Sequence, residues 1–293
     1  MSKLVEAIAE SDTKRKEDIA SLPSRPSLNG IVPKKQKTIA VCTPTLGVIP
    51  MWWFASATSL VFPMNMGKAF FPIQDLERGE VGQMRNRLVN SVLEAEKSRN
   101  DVECEYIFWL DDDVIIHHMA LMSLLSWDRD VAAGVYFCKG HFGEPLLFPA
   151  ASGGTLKYKP WAGRPDDEAR GIEMYGYPQG LSLVRTSVYK RMRDEMDLGV
   201  DKYGSPCWYK QPEFAVDPKT GGLITGGTED FHFFENLSKL GIRPIVDTSK
   251  FAFGFHYSIQ ELVAYPVVQW EQYVKRQPIV WPAPAGELEV VWK

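Results

Sequence analysis

The stretch Tyr106–Leu110 leads directly into three aspartates, and this junction constrains the fold more than any other part of the sequence. A short run of aromatic and β-branched side chains is typical of a strand that is buried on both faces. Asp111, Asp112 and Asp113 follow it, and the chain turns apolar again at Val114. Open α/β sheets bind ligands at the carboxyl ends of their strands, so we expect the aspartates to lie at such an edge.

Three adjacent carboxylates repel one another, so either water screens them or a cation binds to them. A hard divalent ion such as Mg²⁺ or Mn²⁺ prefers carboxylate oxygen and would suit this arrangement. The alternative is a solvated acidic turn after a core strand. The local sequence does not choose between these two interpretations.

Predicted strands and helices alternate along the chain around this junction. The strands are predicted at residues 38–42, 68–71, 106–110, 130–138, 181–184 and 244–247. The helices are predicted at residues 50–62, 82–100, 118–127, from 186 or 187 onwards, and 229–240. In the first helix, Trp52, Trp53 and Phe54 are interpreted as core residues. The alternation predicts an α/β fold.

The domain organisation follows from shifts in composition. Residues 1–36 are first charged and then rich in Ser, Pro and Lys, which predicts a flexible N-terminal arm. Residues 37–262 form the predicted domain. Residues 263–293 contain a short helix and a Pro/Trp-rich tail, which we expect to pack on this domain.

Bulk properties exclude several classes of protein. With 45% hydrophobic and 24% charged residues the composition is that of a soluble globular protein, and the net charge of -4 gives no global attraction to nucleic acid or anionic membranes. No apolar run reaches the roughly 20 residues of a membrane span, and the N-terminus lacks a signal-peptide core, so we expect a cytoplasmic location and no membrane partner. The four cysteines lack zinc or disulfide spacing and are interpreted as reduced thiols.

Charged residues near predicted helix starts are candidates for chemistry. Arg85 lies early in the second helix, where the helix dipole disfavours cations, so it is either solvated or reaches a phosphate or carboxylate. Glu229 and Asp230 lie in the first turn after Thr228, where the dipole favours carboxylates with or without chemistry. His256, among aromatic residues, is either a packing residue or a ligand.

The order of these motifs resembles one known family. Thr-Pro-Thr follows the first strand, Met-Arg-Asn-Arg opens a helix, and Asp-Asp-Asp ends an apolar strand. Gly-Tyr-Pro-Gln-Gly-Leu-Ser, Gly-Thr-Glu-Asp and a distal histidine come later. This succession, from Thr38 to His256, resembles the family-2-like GT-A glycosyltransferases, which use nucleotide-diphosphate sugars. The resemblance implies a GT-A, Rossmann-like domain with a mixed, mostly parallel sheet flanked by helices.

The resemblance also implies roles for individual residues. It implies that Asp111 approaches the ribose, with Asp112 as the alternative, and that Asp113 and His256 bind Mn²⁺ or Mg²⁺, with Asp111 as a further metal candidate. The remaining implied contacts are Thr43, Pro44 and Thr45 at the nucleoside, Arg85 at the base or diphosphate, and Gln179, Gly180 and Leu181 on the acceptor side.

The implied reaction is a single, inverting sugar transfer from a nucleotide-diphosphate sugar, with a UDP-sugar favoured. Asp230 is then the general base and Glu229 an orienting or acceptor-binding group. The sequence lacks the Gln-x-x-Arg-Trp signature of processive synthases. The acceptor is open: a metabolite, a protein, a saccharide precursor, or a hydroxymethylated DNA base of a bacteriophage. A DNA acceptor would use the basic residues between Arg185 and Arg193 and the N-terminal arm.

Other functions are weighed against this one. A sugar-nucleotide pyrophosphorylase would carry a Gly-rich, basic loop after the first strand, and residues 43–47 contain no such cluster. A non-catalytic nucleotide- or carbohydrate-binding module would need the metal site but not the Glu-Asp pair. A two-metal nuclease or polymerase is disfavoured by the acidic balance and the one obvious carboxylate cluster.

Overall fold

The computed structural model describes residues 35–45, 49–74, 80–99, 101–137, 145–149, 171–210, 215–216, 223–224 and 228–256. All of them belong to one compact unit, Lys35–Lys293. The predicted arm lies outside the described residues except for its last two, and Gln36 already begins the first strand. The predicted tail at residues 263–293 also lies outside them.

Eleven strands and five α-helices are defined within these residues. The strands are β1 Gln36–Thr45, β2 Gly67–Gln74, β3 Val102–Leu110, β4 Val114–Ile116, β5 Val131–Ala133, β6 Gly171–Glu173, β7 Leu181–Arg185, β8 Ala215–Val216, β9 Leu223–Ile224, β10 Ile245–Asp247 and β11 Gly254–His256. The helices are α1 Met51–Thr58, α2 Val81–Ser98, α3 Ala120–Leu125, α4 Thr186–Glu195 and α5 Glu229–Lys239. A 3₁₀ turn spans Lys250–Ala252. The predicted helices and strands are confirmed, except that the strand at residues 130–138 keeps regular pairing only to Ala133.

Seven strands form one sheet in the order β2-β1-β3-β7-β5-β10-β6. Strand β1 is parallel to β2 and β3, and β10 is parallel to β5. Strand β7 is antiparallel to β3 and β5, and β6 is antiparallel to β10. Therefore β1, β2, β3, β5 and β10 run in one direction against β6 and β7, which confirms a mixed, mostly parallel α/β sheet. Two further pairs, β4 with β11 and β8 with β9, stand apart from it.

Strand β3 is buried on both faces, as its apolar sequence predicts. Ile107 and Trp109 pack into one hydrophobic cluster, together with the buried stripe of α2. Tyr106, Phe108 and Leu110 pack into a second cluster, together with α1 and α3. Full burial of a large apolar side chain stabilises the fold by roughly 1.5–3 kcal/mol, so β3 anchors both layers.

Helix α1 packs differently from the prediction. Trp53 is buried, but Trp52 is 70% exposed and Phe54 is 56% exposed, so the interpretation of these two as core residues is wrong. The reason is geometric, because a two-turn helix lying on a sheet buries one stripe, here Trp53, Ser56 and Ala57.

Two predictions made from the composition, on membrane-spanning segments and on the cysteines, are compared with the described residues. In this part of the chain no helix combines the length and apolar character needed to cross a membrane. The described cysteines, Cys42, Cys104 and Cys207, are free. Cys138 lies outside the described residues.

Gly134 provides a test of the packing between β5 and the turn before β11. A Cβ at this position would overlap the backbone oxygen of Ala252 and the side chain of Leu181. We expect Gly134→Ala to lower the free energy of unfolding by about 3 kcal/mol in chemical denaturation, because the backbone must shift. The exposed control Ser187→Ala should change it by less than about 0.5 kcal/mol. Equal stability of the two variants would contradict this packing.

Candidate active site

The predicted site residues converge at one edge of the sheet. Because β1 and β3 are parallel, with Cys42 opposite Trp109, the residues that follow these two lie side by side at one edge of the sheet. They include Thr43 to Thr45, the last residues of β1, and Asp111 to Asp113, which follow β3. Strand β7 runs the opposite way with Leu181 opposite Leu110, so Gln179 and Gly180 precede it at the same edge. Both Thr43 and Thr45 are buried there.

Arg85 is the centre of this edge and is only 2% exposed. Its Nη2 donates a hydrogen bond of 3.0 Å to Asp111 Oδ2. Its Nε lies 3.7 Å from Asp230 Oδ1 and 4.0 Å from Glu229 Oε1. The solvated alternative is therefore wrong for Arg85, which reaches carboxylates from two separate parts of the chain.

The surrounding elements hold the guanidinium in place. Its carbon lies 5.2 Å from the ring centre of Trp109 on β3 and 5.9 Å from that of Tyr209. Gly82, one turn before Arg85 on α2, faces Glu229, whose Cβ would lie 3.0 Å from a Cβ at Gly82. The small residue therefore lets the start of α5 approach α2 closely, which brings Glu229 and Asp230 to Arg85.

Burial and neighbouring charges shift the pKa values of Arg85, Asp111 and Asp230. Burial acts to lower the pKa of Arg85, but Asp111, Asp230 and Glu229 outweigh it and raise this pKa well above its ordinary value. Burial, the Glu229 charge and the Asp111 charge raise the pKa of Asp230 well above its ordinary value, although Arg85 opposes them. Burial also raises the pKa of Asp111, against the effect of Arg85 and with a contribution from Asp113. One cation does not balance three half-buried carboxylates.

Gly180 sets the position of Asp111. A Cβ at Gly180 would overlap the Asp111 carboxylate, so only glycine leaves room for it. The Asp111 backbone N–H donates to Gly180 O over 3.0 Å, and the Gly180 N–H donates to Tyr136 Oη over 3.1 Å. Trp53 Nε1 donates to Asp111 O over 2.8 Å, which ties α1 to the same turn.

Asp113 and His256 form the second part of the site. Pairing of β4 with β11 places His256 opposite Val114, next to Asp113. The Asp113 Oδ2 to His256 Nε2 distance is 3.3 Å, and His256 Nδ1 lies 2.9 Å from Phe137 O. A carbonyl oxygen only accepts, so Nδ1 carries a proton, and in the neutral ring the lone pair of Nε2 faces the carboxylate. In that form two acceptors face each other and a cation could lie between them, whereas a ring that carries both protons donates Nε2–H to the carboxylate.

Asp113 and His256 would suit a hard ion whose remaining coordination positions are filled by a substrate. Ligands on adjacent corners of an octahedral Mg²⁺ site lie about 3 Å apart, close to the Asp113 to His256 distance. Within the described residues, no group of three or more His, Cys, Asp and Glu side chains is placed to hold a metal ion. Asp112 lies between the two outer aspartates and is half-buried.

Buried polar atoms without a hydrogen-bond partner gather at this edge. Among the described residues, Arg85 Nε and Nη1, Asp111 Oδ1, Asp230 Oδ1 and Gln179 Oε1 have none. Native proteins satisfy nearly all such groups, so their concentration here indicates that a polar ligand or ordered water completes the site.

Asn86 and Tyr209 belong to the site and were missed by sequence reasoning. Asn86 Nδ2 donates to Tyr209 O over 2.8 Å, and the Tyr209 N–H donates to Asn86 Oδ1 over 2.9 Å. Gln179 Nε2 lies 2.7 Å from Tyr209 Oη. The polar Asn86 within the buried stripe of α2 was a usable signal, whereas nothing local distinguishes Tyr209.

One other sequence interpretation changes: Leu181, expected on the acceptor side, has a fully buried side chain in a hydrophobic cluster. The basic residues around α4 form ion pairs: Arg185 with Glu105 and Asp128, Lys190 with Glu96, Arg191 with Glu195, and Arg193 with Asp194.

Comparison with known proteins gives no family. No family model matches the chain, and no curated protein matches its sequence. Among solved structures, A197 from STIV aligns at 15% identity with a TM-score of 0.46, over 86% of this chain and 98% of its own. TarS from S. aureus aligns at 13% identity with a TM-score of 0.39, over 76% of this chain and 37% of its own. Neither similarity assigns the chain to a family.

The raised pKa of Asp230 predicts a stability change with a defined sign. Below about pH 3.8 this carboxyl is protonated in both the folded and the unfolded protein. As the pH rises, the unfolded chain releases the proton first. The folded state therefore loses stability until the pH passes the folded-state pKa of Asp230. Asparagine mimics the protonated form. We therefore expect Asp230→Asn to be more stable than the wild type at pH 7, by about 1.4 kcal/mol per unit of pKa rise.

The measurement is urea denaturation between pH 3 and pH 8 with a chelator present. The gain in stability should disappear near pH 3.8, and the exposed control Asp101→Asn should show no comparable gain. A variant that is less stable than the wild type at pH 7 would contradict a raised pKa.

Proposed function

We propose that this chain is a metal-dependent glycosyltransferase of the GT-A type, which transfers a sugar from a nucleotide diphosphate to a hydroxyl group with inversion. The proposal is carried by two features at one edge of the sheet: a half-buried carboxylate with a raised pKa, and a carboxylate–imidazole pair that could hold a cation. Asp230 provides the first, and Asp113 with His256 the second. The motif order from Thr38 to His256 supports the same assignment.

Asp113 and His256 would hold Mn²⁺ or Mg²⁺, and Asp111 Oδ1 would be a further ligand. Such ions are commonly bound by one or two carboxylates together with substrate phosphates, so a complete protein cage is not required. When bound, the ion supplies positive charge that stabilises the departing diphosphate. The phosphates would complete its coordination.

The nucleotide would bind along the ends of β1 and β3. Thr43, Pro44 and Thr45 would border the nucleoside, and Asp111 or Asp112 would face the ribose. Arg85 already holds Asp111 through Nη2, while its Nη1 has no partner among the described residues. That nitrogen is therefore a donor for the base or a phosphate oxygen.

Asp230 would act as the general base, with Glu229 orienting the acceptor. The acceptor oxygen forms a bond to the anomeric carbon, the bond from that carbon to the phosphate oxygen breaks, and the hydroxyl proton passes to Asp230. A carboxylate with a raised pKa is a better proton acceptor near neutral pH than an ordinary one. A single base opposite the leaving group gives inversion.

The acceptor class is the open part of the proposal, and Gln179 with Gly180 would line its side of the site. A UDP-sugar is the favoured donor. A hydroxymethylated DNA base remains one candidate acceptor, but the ion pairs around α4 already engage the basic residues that a DNA contact would use. Salt-dependent binding of duplex DNA would support that acceptor.

A donor screen tests the function directly. Nucleotide release from UDP-, GDP- and other sugar nucleotides is measured with Mn²⁺, with and without candidate acceptors. We expect turnover with one donor, and a loss of about 10²–10⁴-fold in kcat for Asp230→Asn, the usual contribution of a general base. The control Asp101→Asn should keep full activity. Full activity of Asp230→Asn would refute its role, and absence of turnover with every donor would favour a binding module.

Metal binding is a separate prediction. Electron paramagnetic resonance of Mn²⁺ in the presence of UDP should show a bound ion in the wild type, with affinity reduced about tenfold or more by Asp113→Asn or His256→Gln, because each removes a ligand. His118→Gln, a histidine substitution just after β4, is the matched control. Equal affinity in all four proteins would place any ion elsewhere.

A further inference from the structure

The carboxamide of Gln179 ends a chain of three buried hydrogen bonds, here called the Trp109 relay. Trp109 Nε1 donates to Tyr189 Oη over 2.8 Å. The hydroxyls of Tyr189 and Tyr209 lie 2.8 Å apart, and one end of the Gln179 carboxamide lies 2.7 Å from Tyr209 Oη. All four side chains are buried, so water does not substitute freely for any partner.

The indole fixes the direction of the relay. An indole N–H only donates, so Tyr189 Oη accepts a hydrogen bond from it and donates its own O–H to its other partner, Tyr209. The Tyr209 O–H must then donate to a further group, and the group next to it is Gln179. That proton needs an acceptor, which the oxygen end of the carboxamide provides and the nitrogen end does not.

The two ends of a carboxamide have the same shape, so the hydrogen-bond network decides which end faces which partner. With the nitrogen facing Tyr209, one phenolic proton lacks an acceptor, and Gln179 Oε1 lacks a donor among the described residues. With the oxygen facing Tyr209, all three bonds run in one direction and only the two amide N–H groups are left over. The second arrangement leaves fewer buried polar groups unsatisfied.

Gln179 lies between two residues of the candidate active site, Gly180 and Tyr209, which it adjoins in sequence and by a hydrogen bond, respectively. Gly180, the next residue, packs against the Asp111 carboxylate. The ring of Tyr209, which carries the relay to Gln179, also lies beside the Arg85 guanidinium. A pair of N–H donors at this place suits an oxygen atom of a bound substrate.

We propose that the Trp109 relay turns the Gln179 carboxamide so that its N–H groups face the active site, where they bind an acceptor oxygen of the substrate. Gln179 is thus a donor in recognition, and Tyr189 and Tyr209 are positioning residues. The identity of that oxygen rests on the proposed function: it is a hydroxyl or phosphate oxygen of the sugar nucleotide, or an oxygen of the acceptor. The orientation itself does not rest on it.

The orientation is tested without any activity. In protein labelled with ¹⁵N-glutamine, the side-chain signals of Gln179 are assigned by their loss in Gln179→Met, and nuclear Overhauser effects to the Tyr209 ring protons are recorded. We expect none between the Gln179 amide protons and that ring, because the oxygen faces Tyr209. A contact between the Tyr189 and Tyr209 rings serves as the positive control. A strong effect from the Gln179 amide to Tyr209 would overturn the proposal.

Kinetics identify the oxygen that is bound. With the donor found in the screen, Gln179→Met should raise one KM about tenfold, with the other KM and kcat nearly unchanged. The donor KM changes if the oxygen belongs to the sugar nucleotide, and the acceptor KM changes if it belongs to the acceptor. Tyr209→Phe should raise the same KM to a smaller extent. Unchanged KM values in both variants would contradict a role of Gln179 in substrate recognition, whatever orientation the NMR spectra show.

Discussion

A guanidinium buried inside a protein requires counter-charge, and Arg85 organises the edge that forms the candidate active site through this requirement. Removing a charge from water costs several kcal/mol unless ionic partners and hydrogen bonds replace the solvent. Asp111 arrives at the end of β3, and Glu229 and Asp230 at the start of α5, so the three carboxylates reach Arg85 from different parts of the chain. Burial and the excess of negative charge raise the pKa of Asp230.

The sheet topology explains how these groups meet. Parallel β1 and β3 bring their carboxyl ends to the same edge, and Gln179 and Gly180 lie at this edge because they precede the reversed strand β7. A purely parallel sheet would have brought the start of this strand to the opposite edge. The reversal of β7 therefore allows Gly180 to pack on Asp111.

The sequence predicted the elements well and the contacts between them poorly. Periodicity located α2, and the apolar run before Asp111 located β3, because each pattern is local. No local pattern indicates that Arg85 is buried against Asp111, 26 residues away, or that Asn86 holds Tyr209, 123 residues away. The exposure of Trp52 was missed for the same reason, since it depends on how α1 lies on the sheet.

His256 lies in the small two-stranded sheet formed by β4 and β11. Strands β4 and β11 have three residues each and form their own two-stranded sheet, which the Gly254 N–H ties to Val135 O over 2.8 Å. Short two-stranded ribbons open at a small free-energy cost. An ion that bound both Asp113 and His256 would link these two strands. Its measured affinity would then include the free energy of ordering the strands, and amide hydrogen exchange would slow in their six residues when the ion is bound.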